Sequence, residues 1–157
     1  MRLATVGVYG FTVEEFLDTL NEADVRLLLD VRQRRGVRGP QYAWANAKRL
    51  EAALAEAGIG YRHHPELAPT TELRELLYEE DDRFGVGKRS RVELAPEYRR
   101  RYLSEILDRV DLGELVAELP EEGAGALFCV ERDPEACHRS LIAERVAAEY
   151  GVPVIHL

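Results

Sequence analysis

The chain has 157 residues, 46% of them hydrophobic and 32% charged, with a formal net charge of −8 at pH 7. That length and apolar content suit one sizeable core rather than two, and the acidic balance argues against adhesion of the whole surface to nucleic acid or anionic membrane, so any anion site must be local. Two cysteines are too few for a disulfide framework, MRLATVGVYG has no charged region followed by a long apolar one and a cleavage site, and no apolar run approaches the roughly 20 residues of a membrane span. A cytoplasmic protein with no membrane partner is expected.

Apolar, β-branched stretches alternate with helical periodicity, the pattern of βαβ units and a mainly parallel sheet. Arg2 to Val8 reads as a first strand. Thr12 then caps a helix, with Glu15 as its capping-box partner and Phe16, Leu17 and Leu20 as the inner stripe. Val25 to Val31 is nearly all apolar, as a strand covered on both faces should be. Arg32 to Trp44 carries four arginines, two glycines, a proline and two aromatics, and reads as a loop. Ala45 to Ala57 is a helix ended by Gly58, and Ile59 to His64 a third strand bearing His63 and His64. Residues 70 to 119 are mostly helical, with a break from Phe84 to Arg91 where Gly85 and Gly87 sit among basic residues and suggest a mobile insertion. Ala124 to Val130 is a fourth strand, Pro134 to Tyr150 a helix and Val152 to Leu157 a closing strand. The expected architecture is α/β: a single-domain, three-layer Rossmann-like fold with a mainly parallel sheet, residues 1–157 forming the one domain.

In open parallel sheets, ligands bind outside the carboxyl ends of the strands. Gly7 to Gly10, Asp30 to Arg38, His63 to Glu66 and Cys129 to Arg139 all follow expected strands and should line one edge. In the last group Asp133 reads as an N-cap with Pro134 at the first helical position. Cys137, His138 and Arg139 then fall in or just after the first turn, where unpaired N–H groups and the macrodipole favour an anion. The same field can lower a thiol pKa from about 8.5 into the range of roughly 3.5 to 7.5. His138, Ile142, Val146 and Tyr150 follow at i, i+4 steps, so His138 should begin the stripe that packs on the sheet.

Each feature has a simpler reading. Cys129, within Ala-Leu-Phe-Cys-Val, reads alone as an inert core thiol. Glu131 is either a solvated carboxylate or an acid/base or arginine clamp. Asp30 and Arg32 could pair structurally or serve a ligand. The loop Arg32 to Trp44 could grip phosphates and stack a base on Tyr42 or Trp44, or be a solvated loop whose Trp44 fills core. A metal could be held by Cys129, Cys137 and one of His63, His64 or His138. Seven residues separate the cysteines, however, against two to four in the usual zinc pairs, and no metal is assigned. A reversible Cys129–Cys137 disulfide would need the loop to fold back.

These residues resemble the family called domain of unknown function 488. The resemblance rests on Thr5-Val6-Gly7, Asp30-Val31-Arg32, Ile59-Gly60-Tyr61, Pro65-Glu66-Leu67 and the closing Val154-Ile155-His156-Leu157. Its most specific element is Cys129-x-Glu131, then Pro134, then Cys137-His138-Arg139. The chain departs from the family at Val8-Tyr9-Gly10, where members commonly have His-Ser or Tyr-Glu-Gly after the first glycine. The resemblance implies an α/β fold with a shared pocket.

The reading that joins these features is a small enzyme binding a phosphate-bearing small molecule or nucleic acid between the arginine loop and the helix near Pro134. Cys137 would be the nucleophile or redox thiol, His138 its orienter or proton carrier and Glu131 an acid/base or clamp. Arg32, Arg139, Asp30, Gly7 and Cys129 would contribute ligand contacts. The rivals are a non-catalytic module binding nucleic acid or protein, a thiol redox or metal site, and a purely structural motif. Nothing in the sequence names a cofactor or an oligomeric state.

Overall fold

A computed structural model describes residues 1–87, 91 and 93–157. Five strands, β1 (Arg2–Val6), β2 (Val25–Asp30), β3 (Gly60–His63), β4 (Ala124–Phe128) and β5 (Val154–His156), form one sheet in the order β3-β2-β4-β1-β5, with every pairing parallel. Among the described residues six α-helices connect them: α1 (Val13–Glu22), α2 (Ala47–Glu56), α3 (Thr71–Phe84), α4 (Pro96–Glu105), α5 (Leu112–Glu118) and α6 (His138–Tyr150). The result is the three-layer, Rossmann-like α/β fold expected from the alternation of elements. None of the described helices is long and apolar enough to cross a membrane.

The strand alternation of side chains sorts the core into two layers. Ala4, Val6, Leu28, Ala126 and Phe128 face α1 and α2, packing on Phe16, Leu20, Leu50 and Leu54. Leu3, Leu29, Leu127 and Cys129 face the other way, against Leu73, Tyr98, Tyr102, Leu115, Ile142 and Val146. All five residues of β4 are buried, because it lies at the centre of the sheet and is covered on both faces. Thr12 caps α1 as expected: its hydroxyl accepts from the Glu15 N–H and the Glu15 carboxylate accepts from the Thr12 N–H.

The topology selects one place for a ligand. The chain leaves β1 through α1 on one face and leaves its neighbour β4 through α6 on the other. The crevice between these diverging connections lies at the carboxyl ends of β1 and β4, the switch point at which open sheets bind ligands. Both flanking segments, Gly7 to Gly10 and Cys129 to Cys137, are held there by backbone bonds, with the N–H groups of Val8 and Tyr9 donating to the Val130 carbonyl.

Three stretches differ from expectation. The end of the expected Arg32 to Trp44 loop forms a 3-10 helix, Pro40–Ala45, and α2 begins after it. The helix expected from Pro134 is a single tight turn, Pro134–Ala136, followed by an extended Cys137 (φ −137°, ψ 147°) that serves as the cap residue of α6. Asp133 makes no side-chain cap bond. The i, i+4 stripe runs through buried His138, Ile142 and Val146 but ends before Tyr150, which is 43% exposed where α6 outruns the sheet. The insertion expected over 84–91 falls partly outside the described residues: Phe84 closes α3, Gly85 adopts a left-handed cap, and 88–90 and 92 are not described.

Candidate functional site

Cys129 follows β4 directly and its side chain turns to the α6 face, whereas Cys137 returns from the Pro134–Ala136 turn to the same spot. The two sulfurs are joined as a disulfide, with Cα atoms 7.2 Å apart. The loop folds back and brings the two sulfurs together, with the Cα atoms set wide for a cross-link. Both residues are buried in the core that faces α4 and α6.

His138 completes the cluster. Its Nε2 lies 2.8 Å from the Val31 carbonyl oxygen, which can only accept, so Nε2 carries the proton and Nδ1 presents a lone pair. That lone pair sits 3.5 Å from Cys137 Sγ and 3.8 Å from Cys129 Sγ. The Tyr102 ring, 5.5 Å away between centroids, packs beside the imidazole. Neither of the other candidate histidines joins the cluster: His63 Nε2 donates to the Arg32 carbonyl at 2.9 Å, and His64 lies between Glu66 (2.6 Å) and Glu118 (3.2 Å).

Glu131 is the third polar wall. One carboxylate oxygen lies 3.1 Å from Cys129 Sγ, and the other accepts from Arg91 at 3.3 Å. Arg91 also binds both oxygens of Asp81 on α3 and the Ala136 carbonyl. Burial works against the Arg91 charge, but the carboxylates of Asp81 and Glu131 outweigh it and hold its pKa above the ordinary value. Arg91 escaped the sequence reading because 40 residues separate it from Glu131. The only signal was a cation in the basic stretch after Gly85 and an aspartate on an otherwise apolar helix face.

The two arginines expected to contact a ligand are engaged internally. Arg32, 2% exposed, makes a two-pronged ion pair with Asp30 (2.9 and 2.8 Å), donates to the Ala45 carbonyl and lies over the Phe128 ring. Asp30 additionally accepts from the Arg32 N–H and the Tyr61 hydroxyl. Arg139 is wholly buried and donates to the carbonyls of Glu131 (2.7 Å) and Arg132 (3.0 Å). Burial pushes its guanidinium down to about 10, which leaves it charged at neutral pH. Both residues shape the loops around the pocket. Gly7 belongs to the same construction, since a Cβ there would overlap the Glu131 carbonyl oxygen and approach Arg139 Nη1 to 3.4 Å.

Tyr61 supplies a pH reporter for this frame. Burial first, then its bond to the Asp30 carboxylate, outweigh the opposing Arg35 contact and raise its pKa from 10.0 to about 12. A raised pKa stabilises the fold fully below the unfolded value near 10, and that contribution disappears as pH rises through about 12. Titration of phenolate absorbance in Tyr61→Phe against the parent should show a loss of one phenol ionising near 12. Loss of one ionising near 10 would contradict this placement.

Outside the Cys-His-Glu cluster, a cavity of about 50 Å³ has room for a few waters or one ion. It shares Arg34, Arg74, Tyr78 and Val130 with an outer cleft of about 630 Å³ that is also lined by Arg38, Tyr9 and Gly36. Arg34 is exposed, and Arg74 bonds the neutral partners Gln33 (2.8 Å) and Tyr78 (3.0 Å). Among the described residues, no carboxylate lies within ion-pair distance of either Arg34 or Arg74. Of the aromatics in the arginine loop, Trp44 packs on Phe16 at 4.8 Å between ring centroids, and Tyr42 packs on Tyr9 at 5.2 Å while its hydroxyl accepts from the Gly10 N–H. The Val8-Tyr9-Gly10 turn thus contributes backbone contacts and an aromatic wall.

Comparison with curated proteins and with solved structures finds no match. The sequence profile described as Domain of unknown function DUF488 matches residues 12–146, a stretch that runs from the cap of α1 into the last turns of α6 and contains Arg34, Arg74, Cys129, Glu131, Cys137 and His138. The chain belongs to this family, domain of unknown function 488.

Proposed function

We propose that this chain is a small enzyme that takes a phosphate-bearing ligand into the arginine-lined cleft, with Cys137 as the candidate nucleophile at its floor. The observation that carries this reading is that the two cavities share walls: Arg34 and Arg74, which have no carboxylate within ion-pair distance among the described residues, line both, and Cys137, His138 and Glu131 line the inner one. In a protein of net charge −8 such a patch is a local attractor for anions, and guanidinium forks suit phosphate oxygens. Tyr78 beside Arg74 offers a stacking face, which favours a nucleotide or similar ligand.

The roles follow from geometry in the reduced protein. His138 Nδ1 accepts the Cys137 proton, the His138 Nε2–H bond to Val31 holds the ring in the required tautomer, and the α6 N-terminus favours the resulting thiolate. Cys129, held beside Glu131, stands where it can pair with Cys137. Arg91 and Asp81 fix Glu131, while Arg139 and Gly7 fix the loop that carries it. These last are positioning residues.

The cleft is tested by binding. Arg34→Ala and Arg74→Ala should each weaken the binding of pyrophosphate or a nucleoside triphosphate by about tenfold, close to 1.4 kcal/mol, and affinity should fall with added salt. Calorimetric titration of the parent and both variants decides it. Unchanged affinity in both variants, or no binding by the parent, would remove the cleft from the proposal.

A further inference from the structure

We infer that in the reduced protein Cys129 Sγ, Cys137 Sγ and His138 Nδ1 form a binding site for a single zinc ion. These three ligand atoms lie within 4.8 Å of one another and come from residues that are all buried. A tetrahedral zinc with bonds of about 2.3 Å to sulfur and about 2.0 Å to nitrogen places the two kinds of ligand atom roughly 3.5 Å apart. The observed sulfur to Nδ1 separations are 3.5 and 3.8 Å. The cysteine Cα atoms, 7.2 Å apart, are set wider than the roughly 4.4–6.8 Å usual for a cross-link, which leaves room for the sulfurs to separate around an ion.

The imidazole is also prepared in the way metal-binding histidines are. Its distal N–H is bound to a backbone carbonyl, so its orientation and tautomer are fixed and the remaining lone pair points at the sulfurs. Two thiolates and one imidazole suit a borderline-soft ion, and they leave a fourth position for water or a ligand atom from the adjoining cavity, as in catalytic rather than closed structural sites. Glu131, 3.1 Å from Cys129 Sγ, stands beside the sulfur pair and can accept a hydrogen bond from water bound there. The seven intervening residues, too many for the usual zinc pair on one turn, are accommodated because the Pro134–Ala136 turn carries the chain back to the end of β4.

The disulfide and the zinc site are alternative states of the same two sulfurs. Converting one to the other takes two electrons and two protons; a phosphine reductant supplies the electrons and leaves as its oxide, with oxygen and protons from one water. Zinc then displaces the two thiol protons to solvent. The ion occupies the sulfur assigned above as nucleophile. Its regulatory consequence, that the zinc-loaded enzyme is masked, rests on the thiol reading, but the ion site itself does not.

The test uses the full chain reduced with a phosphine under anaerobic conditions, its two thiols counted, and titrated with cobalt(II) and then zinc. One equivalent of cobalt should give thiolate-to-metal charge-transfer absorption and the intense visible bands of a tetrahedral site, and one equivalent of zinc should erase them. Cys137→Ser and His138→Gln should weaken zinc binding, measured against a chromophoric chelator, by more than the roughly 10–100-fold that loss of an outer partner costs. Arg34→Ala should bind zinc like the parent even if it has lost phosphate binding, which separates this site from the cleft. Circular dichroism identifies any variant that fails to fold, and for those the parent spectrum decides. No thiolate band in folded, reduced parent, or a pair of sulfurs that stays oxidised in the folded protein under phosphine, would overturn the inference.

Discussion

Gly7→Ala should destabilise the protein by about 1–3 kcal/mol and disrupt the candidate site even where the chain still folds. The added methyl group would occupy the position of the Glu131 carbonyl oxygen and lie 2.9 Å from its carbon, so a backbone segment rather than a flexible side-chain tip must move. That carbonyl accepts the 2.7 Å bond from Arg139, whose guanidinium is wholly buried. Moving it strips a buried cation of a partner and withdraws the Glu131 side chain from Cys129 and Arg91. Urea unfolding measures the stability change, and the labelling rate of Cys137 reports the site. A change under about 0.5 kcal/mol, the scale of an ordinary surface substitution, would show that the Glu131 loop yields without cost.

Asp30→Asn should cost about 3–5 kcal/mol, the range for removing one member of a buried ion pair. For a chain of this size that corresponds to a melting temperature lower by roughly 6–20 °C. Asp30 is fully buried and serves three donors, the Arg32 guanidinium, the Arg32 N–H and the Tyr61 hydroxyl. The amide replaces one acceptor oxygen by a donor and leaves Arg32 charged with no counterion inside the fold. The effect should extend to the pocket, because Asp30 precedes Val31, whose carbonyl orients His138. Thermal unfolding followed by circular dichroism checks the magnitude; a shift under about 2 °C, less than the roughly 2–4 °C that one kcal/mol brings, would mean that Arg32 finds another partner.

The fold was legible because its signals are local and repeated. The apolar run Val25 to Val31, the Thr12–Glu15 capping box and the alternation of strand and helix each announce an element within a few residues. The edge of the sheet that would gather Gly7, Asp30, Cys129 and Cys137 follows from parallel topology, without any knowledge of side-chain contacts. One detail of the motif escaped for a local reason. Proline after aspartate marks a turn start, but it does not say whether the turn continues into a helix, and here the backbone extends at Cys137 before α6 begins.

Side-chain direction in irregular backbone was the larger gap. The arginines following β2 look alike in sequence, yet Arg32 turns inward to Asp30, Arg35 reaches Tyr61, and Arg34 and Arg38 line the cleft. No period governs such a loop, so residue type alone cannot assign the structural and the exposed members. Arg139 next to His138 posed the same problem on a helix. A step of one residue rotates the side chain by about 100°, which takes Arg139 from the sulfurs to the Glu131 and Arg132 carbonyls. Arg91 and Arg74 belong to the segment after β3, and only tertiary packing brings them to a site whose thiols lie on the far side of β4 in sequence.

Delivery of a phosphate-bearing ligand through the arginine cleft to Cys137 can be followed by ligand protection. In Cys129→Ala, reduced and freed of metal by a chelator, Cys137 is alkylated with iodoacetamide across a pH series, with and without pyrophosphate or a nucleoside triphosphate. A depressed thiol pKa relative to the unfolded chain is expected, with a labelling rate that falls in proportion to ligand occupancy. Adding Arg34→Ala and Arg74→Ala should abolish the protection while leaving unliganded labelling intact. Equal labelling with and without bound ligand, or protection that survives loss of both arginines, would contradict it.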